Sequence, residues 1–211
     1  MYKLFWDPGS ANMAPHAALE EIGCPYELVL VDTKSGQHKR PEYLKLNPNG
    51  RVPTLVVGDR VMYESAAIVL YLADKHREAR LAPAIDAPER MLFLQWLMYL
   101  TNTVQDAFML YFHAEQAADS EAARAEIKAK AEKRLQAMWA TIDAALAANG
   151  PYLAGAAFSG ADLFLHMLSR WSRNCAKPTS AYPHVRKLVE LVKARPAVQR
   201  MMAQEGLTEP F

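Results

Sequence analysis

Cysteine is scarce: Cys24 and Cys175 are the only two in 211 residues, with no Cys-x-x-Cys and no cysteine and histidine group at zinc-ligand spacing. A disulfide scaffold, a dithiol redox centre and a structural metal site therefore have no support in the residues, and no metal is expected. An excess of one charge is also lacking. The 24 basic and 23 acidic side chains leave a net charge of +1, so nothing electrostatic asks for nucleic acid or a membrane surface. Small molecules or proteins are the expected partners. No apolar run approaches membrane-spanning length, and residues 1–8 carry Lys3 and Asp7 where a signal peptide needs an apolar stretch. The expected location is cytoplasmic. What is plentiful is hydrophobic residue, 51% of the chain, enough for one large core or two modest ones.

The patterning changes character midway. Residues 2–6 read as a short buried strand, 12–23 as a helix closed by Gly23, and 26–31 as a second strand, which together make a βαβ unit. Residues 41–46 suggest a short irregular helix. Residues 54–57 and 60–63 flank Gly58-Asp59, a two-residue hairpin signal, and a helix follows from Ser65 to about Lys75. The order βαββα after the first strand and helix is thioredoxin-like. Residues 78–88 dissolve into Ala, Pro and Asp as a linker, and beyond them only helical periodicity is found. Residues 89–115 and 122–148 read as two long helices, the second with Ile127, Ala131, Leu135, Met138, Ile142 and Leu146 three or four apart. Ser159-Gly160-Ala161-Asp162 has capping-box spacing with aspartate as the acid, and Phe158 is placed to staple against Leu163. Helices over 182–194 and 196–204 complete the chain. The predicted organisation is an α/β thioredoxin-like domain over 1–77, a linker over 78–88 and an all-helical domain over 89–211.

Two motifs carry the chemistry. Asn47-Pro48-Asn49-Gly50-Arg51-Val52-Pro53-Thr54 ends in Val-Pro just before an apolar strand, and a cis Val52-Pro53 bond would turn the Val52 backbone outward to pair with an extended peptide. Tyr63-Glu64-Ser65 opens a helix, whose first amides and the Ser65 hydroxyl would receive a carboxylate while Glu64 faces an ammonium. Either motif alone reads more readily as a cap or a strand start than as a ligand site. Together, in this order, they describe the γ-glutamyl end of glutathione.

With Pro8-Gly9-Ser10, Val52-Pro53, Glu64-Ser65 and the Ser159 to Asp162 cap in place, the chain resembles the cytosolic glutathione transferase family over essentially its whole length, as a bacterial member with a serine-type site. The resemblance implies glutathione as co-substrate in the first domain, a small apolar electrophile between the domains, a homodimer, and no metal.

A free thiol with a pKa of about 8.5 is mostly protonated at neutral pH, so the protein's task is to hold and ionise it. Ser10, just before the first helix and directly after Pro-Gly, is the leading catalytic residue; relatives that use cysteine place it where this chain has Ala11. Asn12 is the second candidate, although a helix cap explains it equally well. His38 is the better match among Gln37, His38 and Lys39 for the glycine carboxylate, and Arg51 is the alternative. The electrophile pocket is expected among Tyr99, Asn102, Gln105, Phe108, Met109, Phe112 and Trp171, part of which will be plain packing. The function read from these residues is conjugation of the glutathione thiolate to apolar electrophiles, with hydroperoxide reduction as a side activity. A non-catalytic ligand- or protein-binding module on the same fold is the alternative, and an isomerase or lyase a third.

Overall fold

A computed structural model describes residues 1–207. Strands β1 (Tyr2–Trp6), β2 (Tyr26–Leu30), β3 (Thr54–Val57) and β4 (Arg60–Tyr63) form one sheet in the order β2-β1-β3-β4. β1 runs parallel to β2 and antiparallel to β3, and β3 and β4 close the hairpin across Gly58-Asp59. Alternation along β1 divides its side chains between the faces. Tyr2 and Leu4 are buried, Leu4 directly opposite Leu55, while Phe5 meets the ring of Tyr43 on the other face at 5.9 Å. The thioredoxin-like reading is borne out.

Helices α1 (Met13–Ile22) and α3 (Ser65–Lys75) pack together beside the sheet, and α2 (Pro41–Leu44) carries Tyr43. α1 is buried without a break from Met13 to Leu19, because helices of the second half cover its outer side. Gly23, at φ +70, ends it by donating its N–H to the Leu19 carbonyl at 3.0 Å.

The expected helix over 89–115 is instead three pieces: α4 (Glu89–Tyr99), a π-helical segment (Leu100–Gln105) and α5 (Asp106–Phe112). α6 (Glu121–Asn149) starts on Ser120, whose hydroxyl accepts the Ala123 N–H at 3.2 Å. Its core stripe runs Ala131, Leu135, Trp139, Ile142 and Leu146, so Trp139 takes the core place expected of Met138. α7 (Gly160–Trp171) is the axis of this half, buried from Gly160 to Arg170 and flanked by α8 (Pro183–Lys193); α9 (Pro196–Gln204) follows. The Asp162 carboxylate accepts the N–H groups of Ser159 at 2.7 Å and Leu153 at 2.9 Å, which ties the loop before α7 to its first turn. Phe158 lies against Tyr152 and under the Arg195 guanidinium.

The halves are fastened at several points. Gly160 donates its N–H to the Leu81 carbonyl at 2.7 Å, and a Cβ on it would lie 2.5 Å from Val69 Cγ1, so α7 meets α3 where only glycine fits. Arg195 forks onto Glu21 of α1 at 2.6 and 2.8 Å, and Arg90 of α4 forks onto Asp74 of α3 at 2.9 and 3.0 Å. Among the described residues no helix is long and apolar enough to cross a membrane.

Candidate functional site

The loop between β1 and α1 is held from the helical half. Gly9, at φ +70, donates its N–H to Glu205 Oε2 at 2.9 Å, and its carbonyl accepts the Trp171 indole N–H at 3.0 Å. The peptide groups on both sides of Gly9 are thereby held, and the half-buried Ser10 lines the cleft. The Ser10 hydroxyl donates inward to Asn12 Oδ1. A hydroxyl rotates freely about its C–O bond, so the same oxygen is available to turn its proton toward a ligand.

Asn12 is placed differently from either sequence expectation. Its side chain is completely buried, it lines neither lobe of the cleft, and it makes no side-chain cap on α1. Oδ1 accepts the Asp7 N–H at 2.9 Å, while Nδ2 donates to Glu205 Oε1 at 2.8 Å. Both ends of the amide are thus engaged within the protein, by donors on Oδ1 and by a carboxylate on Nδ2, and Asn12 braces the loop that carries Ser10.

Glu205 completes that support and had no sequence signal of its own. It is 4% exposed, and besides Gly9 and Asn12 it faces His16 Nδ1 at 2.8 Å. The other nitrogen of His16 faces Gln204 Oε1 at 2.6 Å. The clue available in the sequence was a histidine within the apolar first helix; in the fold its ring is at 0% exposure and finds its partners far along the chain.

The facing wall is built from residues 47–65. Val52-Pro53 is cis, and the ladder with β1 and β4 begins only at Thr54, so neither Arg51 nor Val52 is paired in the sheet. The Arg51 carbonyl is held by Tyr43 Oη and Asn47 Nδ2, each at 2.8 Å, which fixes the segment from behind. Glu64 adopts φ +75, a conformation that costs a non-glycine residue on the order of 1–3 kcal/mol and clusters at ligand sites. The Ser65 hydroxyl donates to the Ala11 carbonyl, linking this wall to the first loop. In this structure that proton is committed, and the α3 N-terminus offers its backbone amides to the cleft.

The cleft between the walls has two lobes that share Ala11, Arg51, Val52 and Gln105. The first, of about 390 Å³, is polar and takes in Asn49, Pro53, Glu64, Ser65 and Thr101. The second, of about 540 Å³, opens past Ser10 and His38 toward Met109, Phe112 and Trp171. His38 Nδ1 is buried with no hydrogen-bond partner among the described residues, and burial first, then the neighbouring Lys39, holds its imidazole below the ordinary histidine range. Of the seven residues expected to form the electrophile pocket, Gln105, Met109, Phe112 and Trp171 line the cleft. Phe108 does not: it is fully buried behind them, stacked on Phe112 at 5.7 Å and edge-on to Trp171 at 5.9 Å. Tyr99 packs against Trp96 at 5.6 Å and Asn102 is exposed, both away from the lining. The π segment turns Thr101 and Gln105 to the cleft instead, and Thr101, His113 and Arg173 are lining residues that helical periodicity did not single out. Among the described residues no group of three or more His, Cys, Asp or Glu could hold a metal ion.

A four-stranded thioredoxin-like sheet joined to a helical half, with a two-lobed cleft between, defines a class that known proteins share. Residues 1–74 match the family description "Glutathione S-transferase, N-terminal domain" and residues 103–205 "Glutathione S-transferase, C-terminal domain". Glutathione S-transferase 3 of Zea mays is 34% identical over 219 residues, covering 99% of this chain and 96% of its own. Glutathione S-transferase GstA of Escherichia coli O157:H7 is 29% identical over 207 residues, covering 97% and 99%. A crystal structure of a glutathione transferase homolog from Sulfitobacter with bound glutathione superposes with a TM-score of 0.90 at 27% identity, covering 99% of each chain. The chain belongs to the glutathione S-transferase family and is a transferase by that membership.

Proposed function

We propose that the cleft binds glutathione and that its thiolate, held at Ser10, attacks a small electrophile in the second lobe. The observation that carries this reading is the meeting of the two lobes at Ala11 and Val52, beside Ser10. The γ-glutamyl group takes the first lobe, its carboxylate on the α3 amides and its ammonium toward Glu64. The cysteinyl backbone pairs with Val52, outside the sheet ladder. The glycine carboxylate goes to His38, with Arg51 beside it. The sulfur then lies at the Ser10 hydroxyl, whose proton swings from Asn12 to the thiolate.

Substitution follows when the thiolate forms the C–S bond and the leaving group departs with its electron pair. With a hydroperoxide, the same thiolate attacks the terminal oxygen, the O–O bond breaks and the alkoxide takes a proton to leave as an alcohol; a second glutathione thiol then displaces the sulfenic hydroxyl as water and forms the disulfide. Met109, Phe112 and Trp171 offer an apolar electrophile a dry wall. The active species in this reading is a cytoplasmic homodimer, and a monomeric mass in light scattering at working concentration would count against the dimer.

The deciding experiment is an ultraviolet titration of the thiolate absorbance of glutathione bound at saturation. A midpoint one or more units below that of the free tripeptide, about 8.5 for an ordinary thiol, is the expected result. An unshifted midpoint, or no binding, would turn the reading to a non-catalytic binding module on this fold.

A further inference from the structure

The first lobe is not lined by the thioredoxin-like half alone. Thr101 and Gln105, of the π-helical segment, line it together with Glu64 and Ser65. The two stand four residues apart and so share one face of the segment, while their neighbours Leu100 and Val104 are fully buried and anchor it in the core. A π turn inside an α-helix is rare and is frequent at functional sites.

The polar side chains of this lobe differ in how firmly the protein already holds them. Asn47 Nδ2 donates to the Arg51 carbonyl at 2.8 Å and its Oδ1 accepts the Asn49 N–H at 3.1 Å, while the Ser65 hydroxyl donates to the Ala11 carbonyl. Those groups are committed to their own loops. The Thr101 hydroxyl donates to Gln105 Oε1 at 3.4 Å, long beside the usual hydroxyl bond of about 2.7–2.8 Å. Both oxygens keep lone pairs for a ligand, and the bond between them is easily exchanged.

Arg51 and Glu64 are the charged side chains lining the lobe, so Glu64 supplies its negative charge. An ammonium suits a carboxylate flanked by two neutral acceptors, because it has three N–H donors and no lone pair, and a donor left unmatched away from water costs free energy. We infer that Thr101 and Gln105 bind the ammonium of the γ-glutamyl group together with Glu64, so that the amino end of the tripeptide bridges the two halves of the molecule. The inference rests on the glutathione reading above and extends recognition of the peptide to the helical half.

The test is calorimetric binding of glutathione and of glutaryl-cysteinyl-glycine, which keeps the thiol and both carboxylates and lacks only the ammonium. Thr101→Val should weaken glutathione binding about tenfold, the effect of one hydrogen bond to a charged group, and leave the analogue within about twofold of its wild-type affinity. Gln105→Met should show the same selectivity, and Thr101→Ser, which keeps the hydroxyl, should bind both peptides as the wild type does. A loss shared equally by the two peptides, or no loss, in either Thr101→Val or Gln105→Met overturns the inference and leaves the glutathione reading standing. A wild type that binds neither peptide overturns the glutathione reading, and the inference falls with it.

Discussion

Glu205 and Gly9 stand 196 residues apart in the chain and are joined by a hydrogen bond of 2.9 Å from the Gly9 N–H to Glu205 Oε2. The same carboxylate takes Asn12 Nδ2 and His16 Nδ1 on its other oxygen, so the end of the chain holds the loop that presents Ser10. A glutamine here places an NH2 group against one of those donors. Glu205→Gln should destabilise the fold by about 2–4 kcal/mol, the cost of leaving buried polar partners unmatched, and lower kcat/KM by at least about tenfold. Urea unfolding and steady-state kinetics check both, and a variant with wild-type stability would show that the network contributes little.

Ser10→Ala removes the only hydroxyl of the Pro8-Gly9-Ser10 turn while leaving the Asp7, Asn12 and Glu205 bonds in place. The bound thiol pKa should rise by about one unit and kcat fall by about tenfold, with little change in glutathione affinity. An unchanged thiol titration in the variant would pass the role to a backbone amide at the start of α1.

Gly160→Ala puts a methyl group 2.5 Å from Val69 Cγ1 at the α3 and α7 contact. The overpacking should cost about 1–3 kcal/mol. The double variant Gly160→Ala with Val69→Ala opens the space and should recover part of the loss; no recovery in urea unfolding would mean that the backbone, not the side chain, sets the limit.

Asp162 makes a prediction about pH. Complete burial pushes its carboxyl up to about 6, opposed by the N–H groups of Leu153 and Ser159. An acid whose folded pKa lies above its unfolded value of about 3.9 binds more protons in the native state, so its contribution is fully present below that value and is lost as pH rises through about 6. The stability of the wild type relative to Asp162→Asn should therefore decline between pH 4 and pH 7, then level. Unfolding of both proteins across this range reads it. A gap that widens with pH would mean that the amide donors outweigh burial.

Much of the fold was legible because its signals are local. Alternation in β1, the Gly58-Asp59 hairpin, the glycine that ends α1 and the Ser159 to Asp162 box each depend on a few neighbouring residues, and each appears where expected. The long helix expected over 89–115 is present from Glu89 to Phe112, but its π segment was not foreseen, since apolar spacing alone does not separate an α turn from a π turn. Trp139 displaced Met138 from the core stripe because one position along a helix turns a side chain by about 100°, and packing chose between them.

The sequence by itself determined the thioredoxin-like order, the helical second half, and the motifs that supply Ser10, Val52 and Glu64 to one cleft. Those depend on dihedral preference and short-range periodicity. Tertiary structure alone decided that Asn12 turns inward to Glu205, that Phe108 stands behind the pocket wall, and that Arg173 joins Trp171 at the cleft. Each of these depends on how helices cross and on which segments distant in the chain they bring to one place, as with Asn12 and Glu205, a relation that no local pattern encodes.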